Sequence, residues 1–396
     1  MTKVLHRHPL LFLLVVVVLS SSVLYAGMLE FHSVFPFNRA NYTLSSHHFV
    51  PDPRADGGPF VFLRALGQYD AQWYLKIAAT GYPAHPGVTT LNDKSNMDGL
   101  TYAFFPLYPL LIATANVVIG NIELAAFVVS NLLIILDALS LYFVIHKLYN
   151  PSLAIKTTLL LFLFPFSIFF RSYFAEGLQL FLLIWFAYFL MQKKFLPCAL
   201  FLGFLNITKG SGMLLNVLYI VLLAQYIFSH KLKPAKGLLC LIVIATPLIL
   251  WAIYNYIQTG NPFYFYAIQR SWDSTPAYLH IVQNLWTIIH LFELPLHSFH
   301  TSFINTSLAI FIFVLLILSR KHLPSILWWI SFLLWFTPFI SIDLMSFSRY
   351  QTVSFPLFLF AALLMRNNKI YIPTDIIFFG LLLLISLYFV NWYWIG

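Results

Sequence analysis

Between Leu10 and Met28 the chain carries no charged residue, and the same holds between Leu238 and Ile257. Each run matches the roughly 20 apolar residues that an α-helix needs to cross the ~30 Å hydrocarbon core of a bilayer. Hydrocarbon offers no partner to a backbone N–H or C=O, so such a run must satisfy its own hydrogen bonds as a helix. The remaining sequence is of the same kind. Of the 396 residues, 60% are hydrophobic and 9% charged, where soluble domains carry about 25% charge. The expected fold is an all-α polytopic membrane protein, one integral domain over residues 1–396. The N-terminal run is long, and Tyr25 and Met28 stand where a cleavable signal needs small residues, so it is expected to remain as a first span. Cys198 and Cys240 fall in apolar runs and are expected to be free packing residues.

The net charge of +9 comes from dispersed Lys and Arg, which is not the pattern of a nucleic-acid surface. Short loops rich in these residues stay cytoplasmic. Placing Lys3/Arg7, His146/Lys147, Lys193/Lys194, Lys231/Lys233/Lys236, Arg320/Lys321 and Arg366/Lys369 inside gives one consistent threading. It predicts about eleven crossings, with the N-terminus inside and the C-terminus outside. Residues 104–119 then lie at or dip into the outer surface, because one more span would invert every later cluster. Two outer loops result, 30–122 and 259–299, and most carboxylates fall on that side. Asp137 is left inside a span, where an interhelical hydrogen bond is the expected role.

Within the first loop, "LGQYDAQWYLKIAATGYP" at 66–83 places Asp70 at the start of a short amphipathic helix. Gly81 and Pro83 end it. An Asp in that position is expected to cap the helix, to act chemically, or both. Cations stand at other expected outer junctions: Arg171 with Glu176 in "FFRSYFAEG", Lys209 in "NITKGSG", Arg270 with Asp273 in "IQRSWD", and Arg349 with Tyr350 in "FSRYQT". Charges at the outer ends of several helices can meet in one cavity, which suits an anionic headgroup with an acid/base residue beside it. The run "HLFELPLHSFH" spaces His290, Glu293, His297 and His300 like a helical face, but Pro295 breaks it and no zinc signature is present. No cofactor is expected to be required; a divalent metal stays open, without support in the sequence.

These motifs, in order, resemble the PIG-V family, whose eukaryotic members are GPI mannosyltransferase 2, within the GT-C superfamily of polyprenyl-phosphate-sugar glycosyltransferases. The resemblance rests on Asp-Ala-x-x-Tyr-Leu-x-Ile-Ala-x-x-Gly-Tyr at 70–82, "AFFPLYPLL" at 103–111, "FFRSYFAEGLQLF" at 169–181, "NITKGSGML" at 206–214, "GNPFYFYAIQRSW" at 260–272 and "RYQTVSFPLF" at 349–358. Tyr69 stands where members often have Trp, and Lys209 where many have Arg. The resemblance implies a GT-C fold of about eleven spans with surface helices in the first long outer loop. It implies an inverting transfer of a sugar, mannose in that family, from a polyprenyl-phosphate carrier to a lipid or glycan acceptor, as in GPI-anchor biosynthesis. Asp70 would be the general base. Arg64, Tyr69, Tyr82, Phe105, Arg171, Glu176, Lys209, Arg270, Asp273, Arg349 and Tyr350 would contact substrate, with Lys209, Arg270 and Arg349 facing the phosphate.

The expected partners are the lipid-linked sugar, its acceptor, membrane lipids and a small membrane subunit. The membrane would be the plasma membrane in a prokaryote and the endoplasmic reticulum in a eukaryote. A related transferase moving another sugar is the alternative. A transporter or flippase is a third reading, but transporters gather polar groups near the midplane between repeated halves.

Overall fold

The computed structural model describes residues 8–45, 49–86, 97–271, 275–296 and 301–396. Lys3, Arg7, Asp273, His297 and His300 lie outside the described residues. Every regular element described is helical. The chain opens with α1 (Pro9–Phe31), followed by the short helices α2 (Arg39–Ser45) and α3 (Phe62–Leu66) and then α4 (Asp70–Thr80). Helix α5 (Leu107–Ile119) turns directly into the long α6 (Ile122–Leu148). Next come α7 (Pro151–Leu163), α8 (Ile168–Arg171), α9 (Glu176–Met191), α10 (Phe195–Asn206), α11 (Leu215–Phe228) and α12 (Pro234–Thr259). The last third holds α13 (Tyr264–Ala267), α14 (Ala277–Ile289), α15 (Phe303–Ser319), α16 (Ser325–Ser341), α17 (Phe347–Gln351), α18 (Phe355–Leu364) and α19 (Asn368–Phe389).

Local chemistry sets many of these ends. The Asn121 and Asn150 side chains each accept a backbone N–H three residues on, at 2.9 Å, and Pro151 occupies the first position of α7. Helices α10 and α12 approach closely because residue 203 is glycine. A Cβ there would lie 3.2 Å from the carbonyl oxygens of Val243 and Ile244.

Among the described residues, five helical stretches are long and apolar enough to cross a membrane: Pro9–Val34, Ile122–Leu148, Gly210–Phe228, Pro234–Thr259 and Asn368–Phe389. Helix α7 with the following Pro165–Arg171 segment, bent by 72°, makes a sixth if counted as one span. The chain is therefore an integral, multi-pass membrane protein, but the expectation of about eleven crossings, drawn from the basic clusters, is corrected, and with it the GT-C fold class. The reason is length. At 1.5 Å per residue, α9 with 16 residues and α10 with 12 reach about 24 and 18 Å, short of the ~30 Å core. The expected span 350–366 is two short helices, α17 and α18, separated by a turn.

Much of the apolar sequence faces protein. Leu159–Leu163 of α7 are all buried, as are Leu182–Ile184 of α9. Hydropathy alone does not distinguish burial in lipid from burial in protein. Helix α5, with 13 residues, is too short to cross and packs along α4 and α6.

Candidate functional site

Tyr69 adopts φ +53° and ψ −125°, a conformation that costs a non-glycine residue of order 1–3 kcal/mol. Aromatic packing holds it: its ring lies 4.7 Å from that of Trp394, 5.2 Å from Trp392 and 6.2 Å from Phe389, centroid to centroid. The turn makes Tyr69 the N-cap residue and Asp70 the first residue of α4, with no side chain capping the helix. The Asp70 carboxylate is thus not used as a cap. Its Oδ2 accepts a hydrogen bond from Arg349 Nη1 at 2.5 Å.

Arg349 connects two carboxylates. Its Nε donates to Glu176 Oε1, and the same oxygen receives Lys209 Nζ at 2.5 Å. Asp70 on α4, Glu176 on α9, Lys209 after α10 and Arg349 on α17 form one quartet of two acids and two bases. Aromatic faces enclose it. The guanidinium carbon lies 4.5 Å from the Phe174 ring centroid and 5.9 Å from that of Trp394, and Lys209 Nζ sits 4.5 Å over the Tyr350 ring. Exposure separates the members: the Asp70 side chain is 32% accessible, against 0% for Glu176, 3% for Arg349 and 11% for Lys209. Glu176, expected to touch substrate, is instead a buried counter-ion that orients both cations.

Burial, and then the nearby Arg349 charge, push the Lys209 ammonium down to about 8, against the opposing pull of Glu176. Burial works against the Arg349 cation, but the Glu176 and Asp70 carboxylates outweigh it and hold its value above that of a free arginine. Burial pushes the Tyr350 phenol up to about 12, so it stays a neutral ring beneath the ammonium.

An apolar groove of about 780 Å³ lies between α4, α5, α10 and α12, and none of the four quartet residues is among its walls. Tyr82, Pro106, Pro109, Ile207, Pro247 and Trp251 are among its walls. Gly81, at φ +74° with open space where a Cβ would stand, ends α4 at its rim. Ile207 stands two residues before Lys209 and accepts the Leu107 N–H at 3.1 Å, tying the groove wall to α5.

Several residues grouped by sequence lie elsewhere. Arg64 pairs with Glu123 of α6 at 3.5 Å and is partly exposed. Arg171 is buried, with bonds to Ser21 of α1 and to Ser167, so it braces helices. Arg270 is exposed in the turn Ile268–Ser271, which packs on Asp98–Ala103 rather than on the quartet. Tyr82 donates to the Phe104 carbonyl at 2.8 Å and lines the groove, while Phe105 packs against Phe265. Asp137 is fully buried, and neither carboxylate oxygen has a hydrogen-bond partner among the described residues, which corrects its expected interhelical bond. Phe174 and Trp394, which form the cage around Arg349, were not anticipated. The aromatic density of "NWYWIG" at 391–396 is the one sequence signal for the second. Among the described residues no group of three or more His, Cys, Asp or Glu is placed to hold a metal ion.

No family model matches the chain, and no curated protein matches it. The labels that the motifs suggested, PIG-V, GT-C, GPI-anchor biosynthesis and mannosyltransferase, are therefore corrected to membrane-protein character alone, and the span count departs from them as well.

Proposed function

We propose that the quartet and its groove serve the transfer of a sugar from a lipid-phosphate carrier to an acceptor hydroxyl. The observation that carries the reading is the quartet itself: a carboxylate about a third accessible, bonded to one of two cations that a buried Glu176 holds together, in a chain that also carries an apolar groove. A lipid-phosphate sugar is amphiphilic in the same way, with its chain in the groove and its phosphate at the cations. In the resting arrangement Arg349 is bonded to Asp70. An arriving phosphate competes for Arg349 and Lys209 and releases the Asp70 carboxylate. Asp70 then takes the proton from the acceptor hydroxyl as its oxygen attacks the anomeric carbon. The bond from that carbon to the phosphate oxygen breaks, the anomeric configuration inverts, and the phosphate leaves with the electron pair. Lys209 and Arg349 stabilise its growing charge, as preorganised cations in a site shielded from water do well. Glu176 keeps both in place.

The test is an assay in liposomes containing the purified protein, a radiolabelled polyprenyl-phosphate sugar, mannose first and then other hexoses, and mixed lipid acceptors. Sugar is expected to leave the carrier for an acceptor without added nucleotide. A donor pool left intact across the whole panel would overturn the reading.

A further inference from the structure

Helix α14 has its polarity reversed. Its 13 residues include no charged side chain. Its polar residues His280 and Asn284 are buried, while Tyr278, Val282, Leu285, Trp286 and Ile289 are 50–74% exposed. These five recur at helical spacing and make one continuous apolar stripe. Asn284 accounts for the inward polar face: its Nδ2 donates to the carbonyl oxygens of Phe339 and Ile342, each at 2.9 Å, at the end of α16. Ile281 and Ile288 flank it and pack on the cluster formed by Ala309, Trp335, Phe339 and Phe347. A third edge carries Gln283, which is exposed.

We infer that α14 lies in the plane of the membrane, with the stripe from Tyr278 to Ile289 immersed in the lipid interface. Three observations choose lipid as the occupant. At about 20 Å the helix is too short to cross. It packs against α15, whose Phe311 and Ile317 are likewise exposed apolar residues, and follows α12 and the short α13 in the chain, with Leu250 and Ile257 of α12 also exposed. Trp286 and Tyr278 are the residue types that settle at headgroup level, and Phe292 and Leu296 extend the patch beyond the helix end. Interfacial helices commonly carry a charged face opposite the apolar one; α14 has none, because its opposite face is packed on α15 and α16 instead of meeting water. The inference does not depend on the proposed reaction. It gives α14 a mechanical role, because the α16 end that Asn284 braces leads within a few residues to Ser346 and Arg349.

The test uses the full chain in liposomes, with an environment-sensitive fluorophore on single introduced cysteines. Cys198 and Cys240 are fully buried and serve as an unreactive background. Val282→Cys, Leu285→Cys and Ile289→Cys are expected to lose fluorescence to doxyl-labelled phospholipid as strongly as Leu19→Cys on α1, and to resist aqueous iodide. Gln283→Cys should show the reverse preference. Iodide quenching at all four positions would place α14 in water and overturn the inference. Protection of 282, 285 and 289 from both quenchers would mean a protein covers the stripe, and would overturn it equally.

Discussion

Asp52 and Arg54 stand two residues apart in one turn, whereas Asp70 and Arg349 are 279 residues apart on different helices. Both pairs lean on the same C-terminal segment, yet they are finished differently. Arg54 donates to Asp52 through Nε at 3.1 Å and Nη2 at 2.7 Å. Its remaining bonds go to the Val390 carbonyl and Asn391, each at 2.7 Å. Asp52 takes a further bond from Trp392 Nε1 at 3.0 Å, and the guanidinium is flanked by Phe37 and Phe60. Four of the five guanidinium N–H donors are used among the described residues, and the Arg54 and Asp52 side chains are only 10% and 4% accessible. At the second pair only Oδ2 of Asp70 is bonded among the described residues, and the side chain remains about a third accessible. The two regions share chemistry and differ in spare capacity. The first pair ties the loop to the C-terminal segment, and the second keeps one carboxylate oxygen without a bond among the described residues, which the proposed chemistry would use.

The largest effect should come from breaking the first pair. Arg54→Ala leaves Asp52 without its main partner in a nearly closed site, and is expected to cost about 3–5 kcal/mol of stability. A lowered midpoint with unchanged donor KM, read by thermal unfolding and initial rates, would sharpen the contrast. A raised KM would break it. Asp52 also gives the pair an acid signature. Burial acts to raise its value, but the Arg54 bonds win and hold it below the usual carboxylate range. Its contribution is therefore complete above the unfolded value of about 3.9 and is lost as pH falls through the lower folded value.

Next in size is Lys209. Lys209→Ala should raise donor KM about tenfold, or ~1.4 kcal/mol, with a smaller change in stability than Arg54→Ala. In the wild type, raising pH through about 8 discharges this ammonium, so donor KM should climb there. Lys209→Arg, charged throughout, should abolish that limb. A pH-independent KM in the wild type would remove Lys209 from phosphate recognition. The smallest effect belongs to Arg64→Ala. Its pair with Glu123 is partly exposed and long, so about 0–1 kcal/mol and unaltered kinetics are expected.

The membrane class was legible because apolar runs leave few alternatives, and so were the two ends of α4, where Asp70 opens the helix and Gly81 at positive φ closes it. Span number was not, since α7 and α9 are buried by neighbouring helices and read the same as lipid-facing sequence. At the site, placing charges at helix ends grouped Asp70, Glu176, Lys209 and Arg349 with Arg171 and Arg270 and did not single out the four that meet. Their roles did not follow: which carboxylate is buried depends on packing by Phe174 and Trp394 from distant parts of the chain. Arg171 and Arg64 look like site cations in sequence for the same reason. Their partners Ser21 and Glu123 lie on other helices, and spacing does not reveal them.

The contrast between the two carboxylates is tested most directly by one parallel measurement: sugar transfer per folded molecule for Asp70→Asn and Asp52→Asn, prepared together in liposomes. The amide at 70 keeps the size of the side chain but takes up no proton at neutral pH, and a positioned general base contributes about 10²–10⁴-fold in rate. Asp70→Asn should therefore fold and insert normally yet turn over at least ~10²-fold more slowly. Asp52→Asn should be less stable but transfer sugar at the wild-type rate for each folded molecule. Near-normal turnover in the Asp70 variant, or equal losses in both, would contradict the account.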